Sequence, residues 1–231
     1  MADQPAAQPR SAHDLPDASK LVVGILGGTG PQGAGLALRL ALAGQQVVIG
    51  SRSAARAEGI ATEIGHGVRG ADNATAALEA DIVIVAVPWE GHRTTLEGLR
   101  AQLAGKVVVD CVNPIGFDKQ GAYALTVPEG SAAQQAAAVL TESTVVGAFH
   151  HVSAVLLNER STDQVDCDIL VVGDDRDATD LAQALADRID GFRGVYAGRL
   201  RNAHQVEALT ANLISVNRRY KAHAGVRLTD I

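Results

Sequence analysis

The stretch Leu21-Val-Val-Gly-Ile-Leu-Gly27-Gly28-Thr29-Gly30-Pro31-Gln32-Gly33-Ala-Gly-Leu-Ala-Leu-Arg39-Leu40 decides how the rest of the chain is read. An aliphatic, β-branched run enters a glycine cluster and leaves it with Leu36, Ala37, Leu40 and Ala41 on one helical face, so the order is strand, turn, helix. Gly28-x-Gly30-x-x-Gly33 has dinucleotide-binding spacing: the first glycine suits a tight turn, the second a close approach of pyrophosphate, the third the packing of helix on strand. Pro31 falls near the first helical position, where a missing N–H is no loss. The free amides beyond it, with the helix dipole, face an anion. Thr29 and Gln32 lie in the same turn and count as cofactor-binding positions with it. The spacing alone is a weak signal in a chain with 24 glycines among 231 residues. The flanking strand and helix, and a second strand from Gln46 to Gly50, give it weight.

Length and composition suit one α/β domain with an appendage, or two small domains. The chain is 47% hydrophobic but only 3% aromatic, so its core is built from Ala, Val, Leu and Ile, as in parallel sheets covered by helices. A net charge of −6 without a basic block argues against nucleic acid as a partner. No apolar run approaches the roughly 20 residues of a membrane span. Residues 1–19 are polar and proline-dotted, lack the apolar centre of a signal peptide and read as a disordered tail. Cys111 and Cys167 lack Cys-x-x-Cys spacing and fit reduced thiols in a cytoplasmic protein.

Beyond the second strand, Ser53 caps a helix to Ile64, and Asn73 caps one to Ala80. Asp81–Val87 and Lys106–Val112 are buried strands, separated by a helix that ends near Leu103. Strands and helices alternating at this spacing imply βαβ units and a parallel sheet. Residues 113–130 read as a long loop at the carboxyl end of that sheet, where long loops are functional. A helix from Ser131 to Leu140, a strand to Phe149, a strand Asp168–Gly173, a helix Asp175–Ile189, a short strand Gly194–Tyr196 and a helix from about Ala203 to His223 complete the chain. Val206, Leu209, Leu213, Val216 and Tyr220 make a narrow seam on that last helix, open to packing on its own domain or against a second subunit.

The end of the second strand discriminates between nucleotides. NAD proteins place Asp or Glu there for the ribose 2′-hydroxyl; this chain has Ser51-Arg52, with Arg56 one turn on, which favours the 2′-phosphate of NADP. Val87-Pro88-Trp89 lies where the next strand leaves the sheet, near the nicotinamide path. Adjacent His150 and His151 on extended chain point opposite ways, and no third ligand is spaced near them, so a metal site is not expected. The chain has no Tyr-x-x-x-Lys, the proton donor of many carbonyl reductases.

The glycine motif, Ile49-Gly-Ser-Arg52, Val87-Pro-Trp-Glu90, Phe149-His150 and Leu200-Arg-Asn-Ala-His-Gln-Val-Glu-Ala-Leu-Thr210, in that order, resemble the NADP-dependent coenzyme F420 oxidoreductases over about residues 20–225. The resemblance implies reversible hydride transfer between NADP(H) and the deazaflavin F420. It further implies a Rossmann-type, mostly parallel sheet over 20–150 and a small C-terminal helical or α+β domain over 151–231 that completes the deazaflavin cleft. Thr29, Ser51, Arg52 and Arg56 would then bind NADP, while Pro88, His150, His151 and Val152 line the ring site. Positioning of two hydride carriers would suffice, with no catalytic acid or metal. A homodimer or higher homo-oligomer, with small-molecule coenzymes as the only other partners, completes that expectation. An NADP-dependent reductase of an imine or a metal centre, and a non-catalytic NADP-binding subunit, stay open.

Overall fold

A computed structural model describes residues 15–162 and 164–231. The tail expected over 1–19 lies mostly outside them. Its end does not: Ala18 is buried, and the Gln45 side chain donates to the carbonyls of Ala18 and Leu21. The ordered chain therefore begins before residue 20, because the buried Gln45 amide needs those acceptors.

The elements run β1 (Val22–Leu26), α1 (Pro31–Leu42), β2 (Gln46–Ser51), α2 (Ala54–Ile64), β3 (Arg69–Asp72), α3 (Asn73–Glu79), β4 (Ile82–Val85), α4 (His92–Gly98), α5 (Arg100–Leu103) and β5 (Val107–Asp110). There follow β6 (Ile115–Asp118), β7 (Gly121–Ala124), α6 (Ala132–Val139), β8 (Thr144–Gly147), α7 (Ala154–Asn158), β9 (Cys167–Gly173), α8 (Arg176–Asp187), β10 (Phe192–Gly198) and α9 (Ala203–Tyr220). Eight strands form one sheet in the order β10-β9-β8-β5-β4-β1-β2-β3. All neighbours are parallel except β8 and β9. The chain leaves β1 toward β2 and β3, then crosses back to β4 on the other side. That reversal opens a crevice at the carboxyl ends of β1 and β4, where open α/β sheets bind ligands. The segment expected as an appended domain contributes β9 and β10 to the same sheet, joined through the antiparallel seam.

Burial on both faces explains the nearly continuous apolar strands. One face packs α1, α2 and α8 over Ile25, Ile49 and Ile84; the other packs α3, α4 and α6 over Leu26, Val83 and Val85. Each such fully buried side chain contributes about 1.5–3 kcal/mol relative to exposure.

Four sequence expectations need correction. The Asp72 carboxylate caps α3, accepting from Thr75 N at 2.9 Å, whereas the Asn73 side chain lies over Gly50. The helix expected up to Leu103 breaks after Gly98, a residue of low helix propensity, with Leu99 at φ −117° and ψ 10°. Residues 113–130 are not a plain loop, since β6 and β7 pair as an antiparallel hairpin there. The seam on α9 divides: Val206 enters the core, while Val216 and Tyr220 face solvent.

Candidate functional site

The turn between β1 and α1 uses its glycines differently from the simple reading. The left-handed residue is Gly27, at φ +73°, and not Gly28. Gly28 is required by close approach, because a Cβ there would stand 2.6 Å from Cβ of Ile49 on β2. At Gly33 a Cβ would meet Cα of Gly28 at 2.7 Å, which fixes how tightly α1 sits on the turn. Gly30 has open space instead: its nearest neighbour would be the Gly27 carbonyl at 3.5 Å. The protein itself does not require a glycine there, and the open space leaves the backbone accessible to an approaching group. Gly30 is also the N-cap of α1; no side chain caps that helix and no acidic residue stands in its first turn. Its amides and dipole remain available to an anion.

A groove of about 500 Å³ opens beside this turn, between Thr29, Gly30 and Pro31 on one side and Ala154, Val155 and Asn158 of α7 on the other. Asn158 Nδ2 donates to the Pro31 carbonyl at 2.8 Å. Beneath it the buried Arg39 guanidinium donates to the carbonyls of Leu156, Leu157, Glu159 and Thr162 at 2.5–2.9 Å. A cation on the free carbonyls of a helix end satisfies both hydrogen bonding and the dipole. Arg39 thus clamps α7 to α1 and sets one wall of the groove.

At the carboxyl end of β2, Ser51 is buried and its Oγ accepts from Ser53 N at 3.3 Å. Ser53 caps α2 through Arg56 N. Arg52 and Arg56 are exposed at the start of this helix, and neither has an ion-pair partner among the described residues. Two unpaired guanidiniums beside a serine, with no carboxylate at the strand end, suit a doubly charged phosphate.

Across the crevice stand Val87, Pro88 and Trp89, with Pro88 exposed and Trp89 half-buried in a 3-10 turn, Trp89–Gly91. Next to them comes Phe149-His150-His151-Val152, beyond the end of β8. Phe149 takes φ +63°, unusual for a residue with a side chain, and its carbonyl accepts from Gln32 Nε2 at 3.2 Å. The Gln32 side chain therefore braces the turn against Phe149. The His150 carbonyl accepts from Asn113 Nδ2 at 2.7 Å and Thr210 Oγ1 at 3.0 Å. Its ring is buried over Gly147 without a partner for either nitrogen, and burial pushes its pKa down to about 4. His150 and His151 lie in a turn rather than on the expected extended chain; the His151 Nε2 accepts from Leu170 N at 3.3 Å, and burial also takes it down to about 4. Both rings are neutral at pH 7. The His151 ring and the Val152 side chain are both buried in protein, Val152 within the main core, and neither presents a free face. Cys111 and Cys167 are free and buried, and burial raises both thiols, which leaves them inert.

A buried polar network lies under the Trp89 wall, and the sequence reading had not found it. His92 Nε2 meets Asp110 Oδ2 at 2.6 Å and His92 Nδ1 meets Gln135 Oε1 at 3.0 Å; His92 and Asp110 are both fully buried. Gln135 Nε2 donates to Glu129 at 3.2 Å, and Glu129 pairs with Arg93. Asp110 Oδ1 accepts from Val112 N at 3.0 Å. Glu207 of α9 accepts from the first amides of α6, Ala132 N at 2.9 Å and Ala133 N at 3.1 Å, yet burial outweighs those bonds and pushes its pKa up to about 7. The available signal was Asp110 itself, a carboxylate closing an all-valine strand that both faces of the sheet bury.

The fold and the open glycine turn are those of a dinucleotide-binding protein of the doubly wound α/β class. The family model described as NADP oxidoreductase, coenzyme F420-dependent, matches residues 22–114. The F420-dependent NADP reductase of Methanothermobacter marburgensis is 41% identical over 221 residues, spanning 90% of this chain and 98% of the relative. That of Methanocaldococcus jannaschii is 38% identical over the same shares. A solved structure from an Arthrobacter species has the same fold, with a TM-score of 0.76 over 90% of this chain and 99% of that one, at 24% identity. The chain belongs to the F420-dependent NADP reductases.

Proposed function

We infer that this protein transfers a hydride reversibly between NADP(H) and coenzyme F420, by direct passage from C4 of the nicotinamide to C5 of the deazaflavin. The observation that carries the reading is the open α1 terminus flanked by Ser51, Arg52 and Arg56, in a chain of which 90% aligns with reductases of that name. In the balanced reaction NADPH, F420 and one proton give NADP⁺ and reduced F420. The chain's own work is placement: the α1 amides hold pyrophosphate, Ser51 with Arg52 and Arg56 holds the 2′-phosphate, and Pro88 and Trp89 back the nicotinamide. Asn113 Oδ1 and both His150 nitrogens are buried without partners beside the crevice. That unused capacity fits the polar edge of a deazaflavin. Two rings held at about 3–3.5 Å with water excluded need little else.

Val216 and Tyr220, one turn apart on α9, leave exposed apolar side chains, which supports a homodimer through that helix. Sedimentation equilibrium tests that assembly. Two buried free thiols fit a cytoplasmic setting, and no helix among the described residues is long and apolar enough to cross a membrane.

Rapid mixing of protein, NADPH and F420 tests the function at the deazaflavin absorbance. Loss of that absorbance with stoichiometric NADPH oxidation is expected. Tight NADP binding without turnover would instead mark a binding subunit.

A further inference from the structure

The crevice has two walls built by separate segments, and one buried ion pair touches the root of each. On the first wall, Trp89 packs on His92, with ring centroids 5.6 Å apart and planes at 30°. On the second, Asp110 Oδ1 holds Val112 N, the next residue is Asn113, and Asn113 Nδ2 holds the His150 carbonyl. Between them His92 Nε2 and Asp110 Oδ2 stand 2.6 Å apart with no exposure to solvent. The connection therefore runs Trp89, His92, Asp110, Val112, Asn113, His150 without a gap.

We propose that the His92–Asp110 pair is a positioning element for hydride transfer, whose shared proton sets the Pro88–Trp89 wall against the Asn113–His150 wall. This rests on the reading of the crevice given above. Protonated, His92 donates to both Asp110 Oδ2 and Gln135 Oε1 and attracts the Asp110 charge; neutral, it has one N–H for two acceptors, and the hold weakens.

The groups facing the pair come from every side. Gln135 of α6 fixes His92 Nδ1 and is itself tied to Glu129 and, through it, Arg93. Glu207 of α9 acts on His92 and Asp110 through its charge, and the neutral His150 ring faces Asp110. Burial disfavours the His92 cation, but the Asp110 charge and hydrogen bond, then Gln135 and Glu207, outweigh it and hold His92 above its ordinary value. His92 is thus the protonated member over the range in which the walls are set. Raising the pH through its midpoint, above 6.5, releases them.

Trp89 is the chain's only tryptophan, which makes the pair directly readable. Imidazolium in contact with indole quenches its emission, and neutral imidazole does so far less. In the ligand-free protein, emission should rise with pH in a step above 6.5, broadened by Glu207, which titrates near 7 and acts on His92. The step should vanish in His92→Gln and shift down in Asp110→Asn. In both variants NADP affinity should stay within about twofold of the parent, because its phosphates bind at the far end of the crevice. The single-turnover rate with NADPH and F420 should fall about 10- to 100-fold, the cost of small misplacement of reacting atoms, and its deuterium isotope effect should become more temperature-dependent. In the parent, that rate should decline with pH at the same midpoint as the emission step.

A step that survives in His92→Gln overturns the proposal, as does a parental rate and isotope effect in that variant. If His92→Gln does not fold, the parent decides: an emission step without a matching change in hydride rate contradicts it. If the parent does not reduce F420 at all, the reading of the crevice has failed, an outcome separate from either of these.

Discussion

Arg52 directly follows the last residue of β2 and lies exposed next to Arg56. A charge-assisted bond to a phosphate contributes about 1.5–3 kcal/mol, and each 1.4 kcal/mol is about tenfold. Arg52→Ala should weaken NADP binding by roughly 10- to 100-fold, toward the lower figure where Arg56 compensates. NAD lacks the 2′-phosphate, so its affinity should hardly change. The ratio of NADP to NAD catalytic efficiency in parent and variant checks this; equal losses would make Arg52 a residue of the fold. The placement of Arg52 and Arg56, exposed just beyond the end of β2, was legible in the sequence because it follows from position along one strand. His92 and Asp110 were not, since their pairing depends on α4 folding back over the end of β5. The same holds for Gln32, which reaches the Phe149 carbonyl, and for His151, which reaches Leu170 N of β9, since both contacts depend on segments far apart in sequence.

The clamp on α7 is a matter between elements. Five residues are too few to hold a helix on their own, and the Arg39 guanidinium supplies what propensity does not. Arg39→Met keeps the aliphatic stem but strands four carbonyls, with an expected loss on the order of 3 kcal/mol in chemical denaturation. Because α7 walls the groove beside Thr29 and Gly30, the NADP Michaelis constant should rise as well. A variant with parental stability and Michaelis constant would show that α7 is held by packing alone. Most elements were readable from periodicity, the Ser53 and Ser131 caps among them. The β6–β7 hairpin was hidden because its two loop residues, Lys119 and Gln120, are not the Asn-Gly type that marks a two-residue hairpin, although Asp118 and Gly121 flank them as in a type I turn, and its strands are only four residues each.

On the scale of the whole molecule, the unexpected feature is that the C-terminal segment extends the sheet. A parallel pattern had been expected to stop at β8, and the reversal into β9 follows from the long path through α7. That path brings α9 back over α6, where Glu207 meets the first amides of the helix. With its pKa raised to about 7 from 4.5, Glu207 binds more protons in the native state. Its contribution is therefore fully present below pH 4.5 and lost as pH rises through 7. Relative to Glu207→Gln, the parent should lose on the order of 2 kcal/mol between pH 5 and 8. Parallel denaturation curves of the two proteins at both pH values check the sign; an unchanged difference would mean that Glu207 does not titrate there.

The central claim is that this crevice passes a hydride straight from one ring to the other. It is met most directly with NADPH carrying deuterium at the transferring C4 position, mixed with the protein and F420 in ordinary water. Mass spectrometry of the reduced deazaflavin should find the deuterium on C5, with none released to solvent. Deuterium appearing in water, with reduced F420 unlabelled, would contradict direct transfer and require an exchanging carrier between the two coenzymes.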